Sequence, residues 1–415
     1  MIIRARTVLC VSRPPIEDGA VAIAGNRIRA VGRWRDLALI SHRRVVDLED
    51  VVLMPGLVNA HCHLDYTDMG GKLPPPKTFL DWIPLIIDAK SGWGYSDYAS
   101  SWLRGAKMLL QSGTTTVADI EAMPDLLPEV WNATPLRVFS FLEMTGIRAQ
   151  RDPAEILREA SAKLATLRHA RNHAGLSPHA PYSTRPELLR LAGQLARKRH
   201  WRVCTHVAES QQEFDMFMHG QGAMHEWLRR NDRDNSDCGL GSPVKHLDRQ
   251  KLLNDHLLAI HVNLLARGDA ELLGRRRVNV VHCPRSHDYF RHPPFQLTRL
   301  AGAGANICLG TDSLATMRKS GRQKLALDMF EEMRALAGKA TTLRPGQILR
   351  LATLNGARAL GLAGQIGELT PRARADLIAI PFSGRKAQAM AAVLAHTGPV
   401  CASMIEGRWV IPPAT

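Results

Sequence analysis

Aromatic residues are scarce, at 5% of the chain's 415 residues. A surface that stacks single-stranded nucleic acid needs more of them, interleaved with basic side chains. Long apolar runs are missing too: no stretch approaches the ~18 residues of a membrane span. The N-terminal MIIRARTVLCVSRPP carries a short apolar stretch broken by arginine and proline, without the apolar core and cleavage site of a secretory signal. The seven cysteines form no CxxC pair and no regular framework. Cys204, Cys283 and Cys308 lie in apolar runs and read as reduced core thiols of a cytoplasmic protein. Acidic residues are the minority charge: 54 Lys plus Arg against 39 Asp plus Glu leave a net charge of +15. The basic residues are scattered, and clusters such as Arg275, Arg276 and Arg277 are short. With no basic arm and no localised basic face, neither a nucleic-acid nor a membrane partner is expected.

What is present is a 45% hydrophobic composition, enough for a large core. Residues 1–54 alternate as short strands (TVLCV, AVAIAG, RIRAVG) parted by Pro-Pro, Glu-Asp-Gly and Gly-Asn turns. Residues 365–415 do the same with ADLIAI and SMIEGRWVI. Between them, over 55–364, short apolar strands alternate with amphipathic stretches, the βα signature. Eight strands are expected: 57–63, 114–120, 137–143, 174–180, 202–209, 257–263, 278–284 and 306–313. Helices are expected over 153–170 and 185–200, and an apolar-periodic stretch, KLALDMFEEMRALAG, follows the eighth strand. Eight strands with seven or eight crossovers is the arithmetic of an α/β fold, the closed (β/α)8 TIM barrel. The two terminal β segments are expected to meet beside it as a small β-sandwich.

Polar residues collect at the C-terminal ends of these strands, where barrel active sites are built. His61 and His63 end the first strand. Residues two apart share a face, so the two imidazoles point together while Cys62 points away. His179 ends the fourth strand, His206 and Glu209 the fifth, His261 the sixth, His282 the seventh and Asp312 the eighth. A core strand has no structural use for such a series. His61, His63, His206 and Asp312 together read as the ligands of one divalent ion per chain, Zn(II) first, with Fe(II) or Mn(II) as alternatives. A bound ion lowers the pKa of its water to roughly 7. Glu209 reads as a ligand, a surface charge or a proton shuttle. His261 reads as a fifth ligand, an orienting group, a stabiliser of a tetrahedral intermediate or a satisfied core histidine. Substrate contacts are expected from Asp81 and Trp82 in the long loop after the first strand, and from His179. The loop after the seventh strand, with His282, Arg285 and Ser286, is expected to grip substrate as well.

These motifs resemble the amidohydrolase superfamily, specifically its branch of nucleoside and aminopurine deaminases and triazine chlorohydrolases. The likeness runs almost end to end. Ile16-Glu17-Asp18-Gly19-Ala20 and Ile28-Arg29-Ala30-Val31-Gly32 are similar to the family's N-terminal β segment. Pro55-Gly56-Leu57-Val58-Asn59-Ala60-His61-Cys62-His63 resembles its first metal motif, and Gly310-Thr311-Asp312-Ser313 its last. Asn355 to Leu362, Gly367-Glu368-Leu369 and Ala375-Asp376-Leu377 are similar to its return into the terminal β structure. The resemblance implies that Glu209 carries a proton to a ring nitrogen. It also implies that His261 orients the attacking hydroxide and that Asp312 helps take its proton. A bridging lysine on the fourth strand is absent, which speaks against the two-metal branch. The presence of both Glu209 and Asp312 favours deamination over dechlorination. Ser177-Pro178-His179-Ala180-Pro181-Tyr182 is similar to nucleoside-acting members, in which the histidine and the acid before the loop tryptophan grip substrate. The seventh-strand segment departs from the family's usual Ser-Asn, reading Ser286-His287. Sequences with this variant resemble 6-aminodeoxyfutalosine deaminases.

The expected activity is hydrolytic deamination of an aminated heterocycle, most simply an adenosine-type purine nucleoside, with release of ammonia. Hydrolysis of another C–N or C–Cl bond, as in guanine or a chlorotriazine, is the enzymatic alternative. A barrel that has lost catalysis and serves as a binding protein is the alternative of another class; it should lack ligands, and this chain lacks none. A homodimer is a family-level expectation.

Overall fold

A computed structural model describes residues 1–39, 44–146, 151–167, 169–319, 321 and 324–414. The eight expected strands form. They are β1 (Leu57–Cys62), β2 (Thr114–Glu121), β3 (Arg137–Met144), β4 (His173–Pro178), β5 (Val203–Val207), β6 (Leu257–His261), β7 (Asn279–His282) and β8 (Asn306–Leu309). They lie side by side in chain order, every pair parallel. The ring closes between its first and last strands. Thr311 N and Asp312 N donate to His61 O at 3.0 and 3.1 Å, and Cys62 bridges Asp312 in parallel. A parallel sheet covered by helices buries both faces, so its strands read as apolar runs. All residues of β2, β5, β6 and β7 are buried.

The crossovers follow their periodicity. Here α1 is Phe79–Lys90, α2 is Pro153–Thr166, α3 is Pro186–Arg199, α4 is Pro284–Tyr289 and α5 is Met329–Lys339. In α3, Leu188, Leu189, Ala192, Gly193 and Ala196 are buried, one stripe at helical spacing, and Arg197, Lys198 and Arg199 fill the last turn, where cations suit the helix dipole. Asp152 caps α2 by accepting from Ala154 N at 3.0 Å.

Three details differ from the expectation. The apolar-periodic stretch after β8 becomes helical only at Met329, because Asp328 caps there and accepts from Phe330 N. The long loop after β1 contains α1, capped by a Thr78–Asp81 box. The loop after β7 contains the six-residue α4, begun by Pro284 at a position where its missing N–H costs nothing.

The termini meet beside the barrel as expected, their strands hydrogen-bonded into one eight-stranded sheet around a shared apolar core that includes Ile3, Val21, Leu53, Leu377 and Met404. Val51–Pro55 pairs antiparallel with Leu377–Pro381, with Leu53 opposite Ala379. Arg137, the first residue of β3, ties barrel to sheet. It is fully buried, 2.9 Å from Asp376 and 3.3 Å from Glu406. All seven cysteines are free, and Cys204, Cys283 and Cys308 are buried as expected. No helix among the described residues is long and apolar enough to cross a membrane.

Candidate active site

The C-terminal ends of the strands converge on a buried cluster of imidazoles. His61 and His63 extend from β1 and His206 from β5, and one ring nitrogen of each lies within 4.8 Å of the others'. His63 Nε2 and His206 Nε2 are 3.4 Å apart. His206 Nδ1 donates to His179 O at 2.9 Å, which leaves its Nε2 as the lone-pair nitrogen facing the cluster. Asp312, just past β8, completes the group. Its Oδ1 stands 3.5 Å from His61 Nε2 and 3.8 Å from His63 Nε2. Its Oδ2 is held from behind by the hydroxyls of Ser286 (2.5 Å) and Thr316 (3.3 Å).

The chemistry of this set fits a divalent metal. Both ring nitrogens of His61 are buried without a hydrogen-bond partner. An imidazole so placed is costly unless a cation takes its lone pair. Burial first, and then the neighbouring imidazoles His206 and His179, holds His61 well below the usual histidine range. His63 is lowered well below it by burial and by His61, against the pull of Asp312. Burial and His179 bring His206 down to about 4. Metal ligands must be neutral imidazoles, and these are.

Glu209 and His261 face each other beside the cluster, Oε1 to Nε2 at 3.4 Å. The Glu209 carboxyl is buried, and burial, then Asp312 and Glu213, pushes it well above the usual carboxylate range. Its backbone is clamped. Glu209 N donates to Glu213 Oε2 at 2.9 Å, and Asn263 Nδ2 donates to Glu209 O at 3.0 Å.

These groups line the inner end of a cavity of about 200 Å³. Its side wall is α1, which presents Phe79, Trp82, Ile83, Ile86 and Ile87; Tyr182 and Trp227 also line it. Trp82 is braced edge-on by Phe290 at 5.5 Å. His179 also lines the cavity, its Nδ1 2.6 Å from Ser183 Oγ.

Four residues expected at the substrate stand elsewhere. Asp81 is exposed, and its carboxylate accepts from Thr78 N (3.0 Å) and Thr78 Oγ1 (2.9 Å), so it caps α1 instead of entering the cavity. His282 stacks on Phe295 at 3.9 Å. Arg285 is turned by α4 towards α5, where it pairs with Glu331 and Glu332 and donates to Ala326 O. Ser286 reaches Asp312, not the cavity lining. Conversely, Glu143, Tyr66 and Lys90 line the cavity and were not singled out. Glu143 lies near the C-terminal end of β3, the same position in its strand that drew attention to the histidines.

The amidohydrolase family model matches residues 52–410, and the chain belongs to that family. It is a hydrolase of the class that acts on non-peptide C–N bonds. The 5-methylthioadenosine/S-adenosylhomocysteine deaminase of Syntrophobacter fumaroxidans is 32% identical over 388 residues, covering 88% of this chain and 80% of that protein. The corresponding deaminase of Pelotomaculum thermopropionicum is 30% identical over 92% of this chain and 85% of its own length. An adenosine deaminase from Xanthomonas campestris, solved with bound zinc, superposes with a TM-score of 0.82 at 26% identity, covering 98% of this chain and 92% of that one. The Helicobacter pylori aminofutalosine deaminase in complex with methylthio-coformycin shares the fold, with a TM-score of 0.86 at 24% identity over 99% and 100% of the two chains.

Proposed function

We propose that the protein hydrolytically deaminates an adenine-type nucleoside, with His61, His63, His206 and Asp312 holding one ion, zinc by preference. The observation that carries this reading is the buried Glu209 carboxyl. It stands beside the imidazole cluster, at the inner end of a cavity whose wall is aromatic and apolar. A flat heterocycle enters such a cavity edge first. When bound, the divalent ion supplies Lewis acidity and a water of lowered pKa.

The residues of the chain do the rest. Glu209, held above the usual carboxylate range, keeps a proton to place on the ring nitrogen next to the amine-bearing carbon. Addition of the water oxygen to that carbon ends its aromaticity. The proton given up by that water passes by way of Asp312 to the amine, and the C–N bond breaks to release ammonia and leave a ring carbonyl. His261, 3.4 Å from Glu209, fixes the direction of that carboxyl and faces the oxygen that attacks. Asp312 is oriented by the Ser286 and Thr316 hydroxyls, so one oxygen stays turned to the imidazoles and can accept the proton of the attacking water. The wall of Ile83, Ile86 and Ile87 with Trp227 suits an apolar or aromatic substituent at the 5′ end of the nucleoside, as in methylthioadenosine or aminodeoxyfutalosine.

The test is ammonia release by zinc-loaded protein offered adenosine, methylthioadenosine, adenosylhomocysteine, 6-aminodeoxyfutalosine, guanine, cytosine and a chlorotriazine. Ammonia from an adenine nucleoside, abolished by a chelator, is expected. Turnover of guanine or the chlorotriazine alone, or silence with one equivalent of metal bound, would sink the nucleoside reading.

A further inference from the structure

The apolar wall of the cavity is assembled from segments that no sheet pairing holds together. Tyr182 comes from the turn after β4, and Trp227 from the helix Ala223–Arg230; both line the cavity. Behind them Met216, Phe217, Met224 and Leu228 pack with Tyr182 and with Phe79 of α1 into one apolar cluster. Hydrophobic contact is non-directional. The hydrogen bonds that give these segments a direction converge on one residue, Arg233.

Arg233 follows the Trp227 helix and is 4% exposed. A charge so buried must be paired and hydrogen-bonded throughout, and this one is. Its Nε donates to Tyr182 O at 2.9 Å and its Nη2 to Pro181 O at 3.2 Å. Among the described residues no other group donates to these two carbonyls. Nη1 and Nη2 meet the two oxygens of Asp237 at 2.8 and 2.9 Å, and Nη1 also donates to Asp234 O at 2.9 Å. The same segment grips the helix on both sides of Trp227. Arg233 N donates to Leu228 O at 3.0 Å, and Asn235 Nδ2 donates to His225 O at 2.9 Å. The guanidinium lies 5.8 Å from the Phe217 ring, beneath the wall. An apolar side chain here would fill the space but leave buried carbonyls unpaired. Lysine, with all its donors on one nitrogen, cannot span Tyr182, Pro181 and Asp237 together.

We propose that Arg233 is a positioning residue for substrate selection. By tying the Tyr182 turn to the Trp227 helix it fixes the width of the apolar end of the cavity, and with it the preference for an apolar 5′ substituent. This inference rests on the nucleoside reading. The experiment is calorimetric binding of 5′-methylthioinosine and inosine to the zinc-loaded protein; neither carries an amine to lose. Two measurements accompany it: kcat and KM for methylthioadenosine and adenosine, and hydrogen–deuterium exchange of the amides in 180–184 and 223–230.

One small apolar group in a fitted pocket is worth about tenfold or more, so wild type binds the methylthio ligand at least about tenfold more tightly than inosine. Arg233→Lys brings that ratio near one and raises KM for methylthioadenosine, while kcat stays within a few fold and metal content is unchanged. It also speeds exchange in both segments. Asp237→Asn keeps the guanidinium but weakens its clamp, and moves ratio and exchange the same way by less. Arg137→Met breaks a buried ion pair at the opposite end of the barrel, where β3 begins, and keeps the wild-type ratio. The assignment is overturned if wild type lacks the preference, or if the folded Arg233 and Asp237 variants keep it. Unchanged exchange in both segments, or loss of the ratio in Arg137→Met, overturns it equally. If neither ligand binds and adenosine is not turned over, the nucleoside reading fails instead, and the exchange rates still decide whether Arg233 holds the wall.

Discussion

Removing the Arg137 side chain should uncouple the barrel from the terminal sheet. The guanidinium is 0% exposed and Asp376 2% exposed, with 2.9 Å between them, and Glu406 stands at 3.3 Å with 22% exposure. Removing one partner of such a buried pair costs about 3–5 kcal/mol, because the other charge remains buried. Asp376 would not be left bare: Glu406 N donates to its Oδ1 at 2.7 Å. The lower end, about 3 kcal/mol, is therefore expected for Arg137→Met. For a chain this long the urea slope is at least about 3 kcal/mol/M, so the unfolding midpoint falls by up to about 1 M. The double variant Arg137→Met with Asp376→Leu removes both charges and should recover more than half of the loss, since apolar replacement of a whole buried pair is often neutral. Urea unfolding followed by far-ultraviolet circular dichroism reads both. A single variant within about 0.2 M of wild type, or a double variant less stable than the single, would refute the electrostatic argument.

Glu209→Gln should lower kcat by about 10²- to 10⁴-fold with metal content unchanged; retention of most activity with metal bound would remove the proton-transfer role. His287→Asn should lower kcat several-fold without changing the order of preference across the substrate panel. His287 Nδ1 lies 3.0 Å from Asn263 Oδ1 behind Glu209, and His287 does not line the cavity. A reversed preference would show that His287 meets the base. Acid should destabilise the fold between about pH 6.5 and 4. Burial lowers His246, which is 0% exposed, from 6.5 to about 4. The unfolded chain binds this proton more tightly, so stability present above pH 6.5 is lost as pH falls through that window. Proton uptake on unfolding at pH 5 measures it, and His246→Gln should reduce the slope.

The barrel could be read from the sequence because parallel strands buried on both faces must be apolar runs, and the eight runs found are the eight strands observed. The imidazole cluster could be read because period two puts His61 and His63 on one face. Side-chain direction beyond the strand ends could not. The sequence places Arg285 and Ser286 in one segment, but α4 turns the first towards Glu331 and Glu332 and the second towards Asp312. The helical nature of the segment around Trp82 did leave a signal, Thr78 followed three residues later by Asp81 before an apolar run. Pro84 and the prolines before Lys77 obscured it. Glu143 has the same strand-end position as His179, but a single acid on a strand end has many structural uses, so position alone does not mark it.

The site's accuracy depends on backbone that no motif announces. Ala208, His261 and Asp312, at the ends of three strands, all have left-handed φ values of 51°, 73° and 55°. For residues with a Cβ such angles cost of order 1–3 kcal/mol each and persist only where the surroundings over-determine them. At β5 the Glu213 carboxylate accepts from Ala208 N at 3.0 Å and Glu209 N at 2.9 Å, doing the work of the missing sheet partners. At the barrel seam Asn59 Oδ1 accepts from Thr311 N at 3.1 Å and His61 N at 3.3 Å, while its Nδ2 donates to Thr311 Oγ1 at 2.7 Å. One amide thus fixes the residues before both His63 and Asp312. The strained turns aim the functional side chains inward, and buried polar groups one step behind them keep the turns from relaxing. Substitutions at Glu213 or Asn59 should therefore act on metal retention and kcat before they act on the fold's stability.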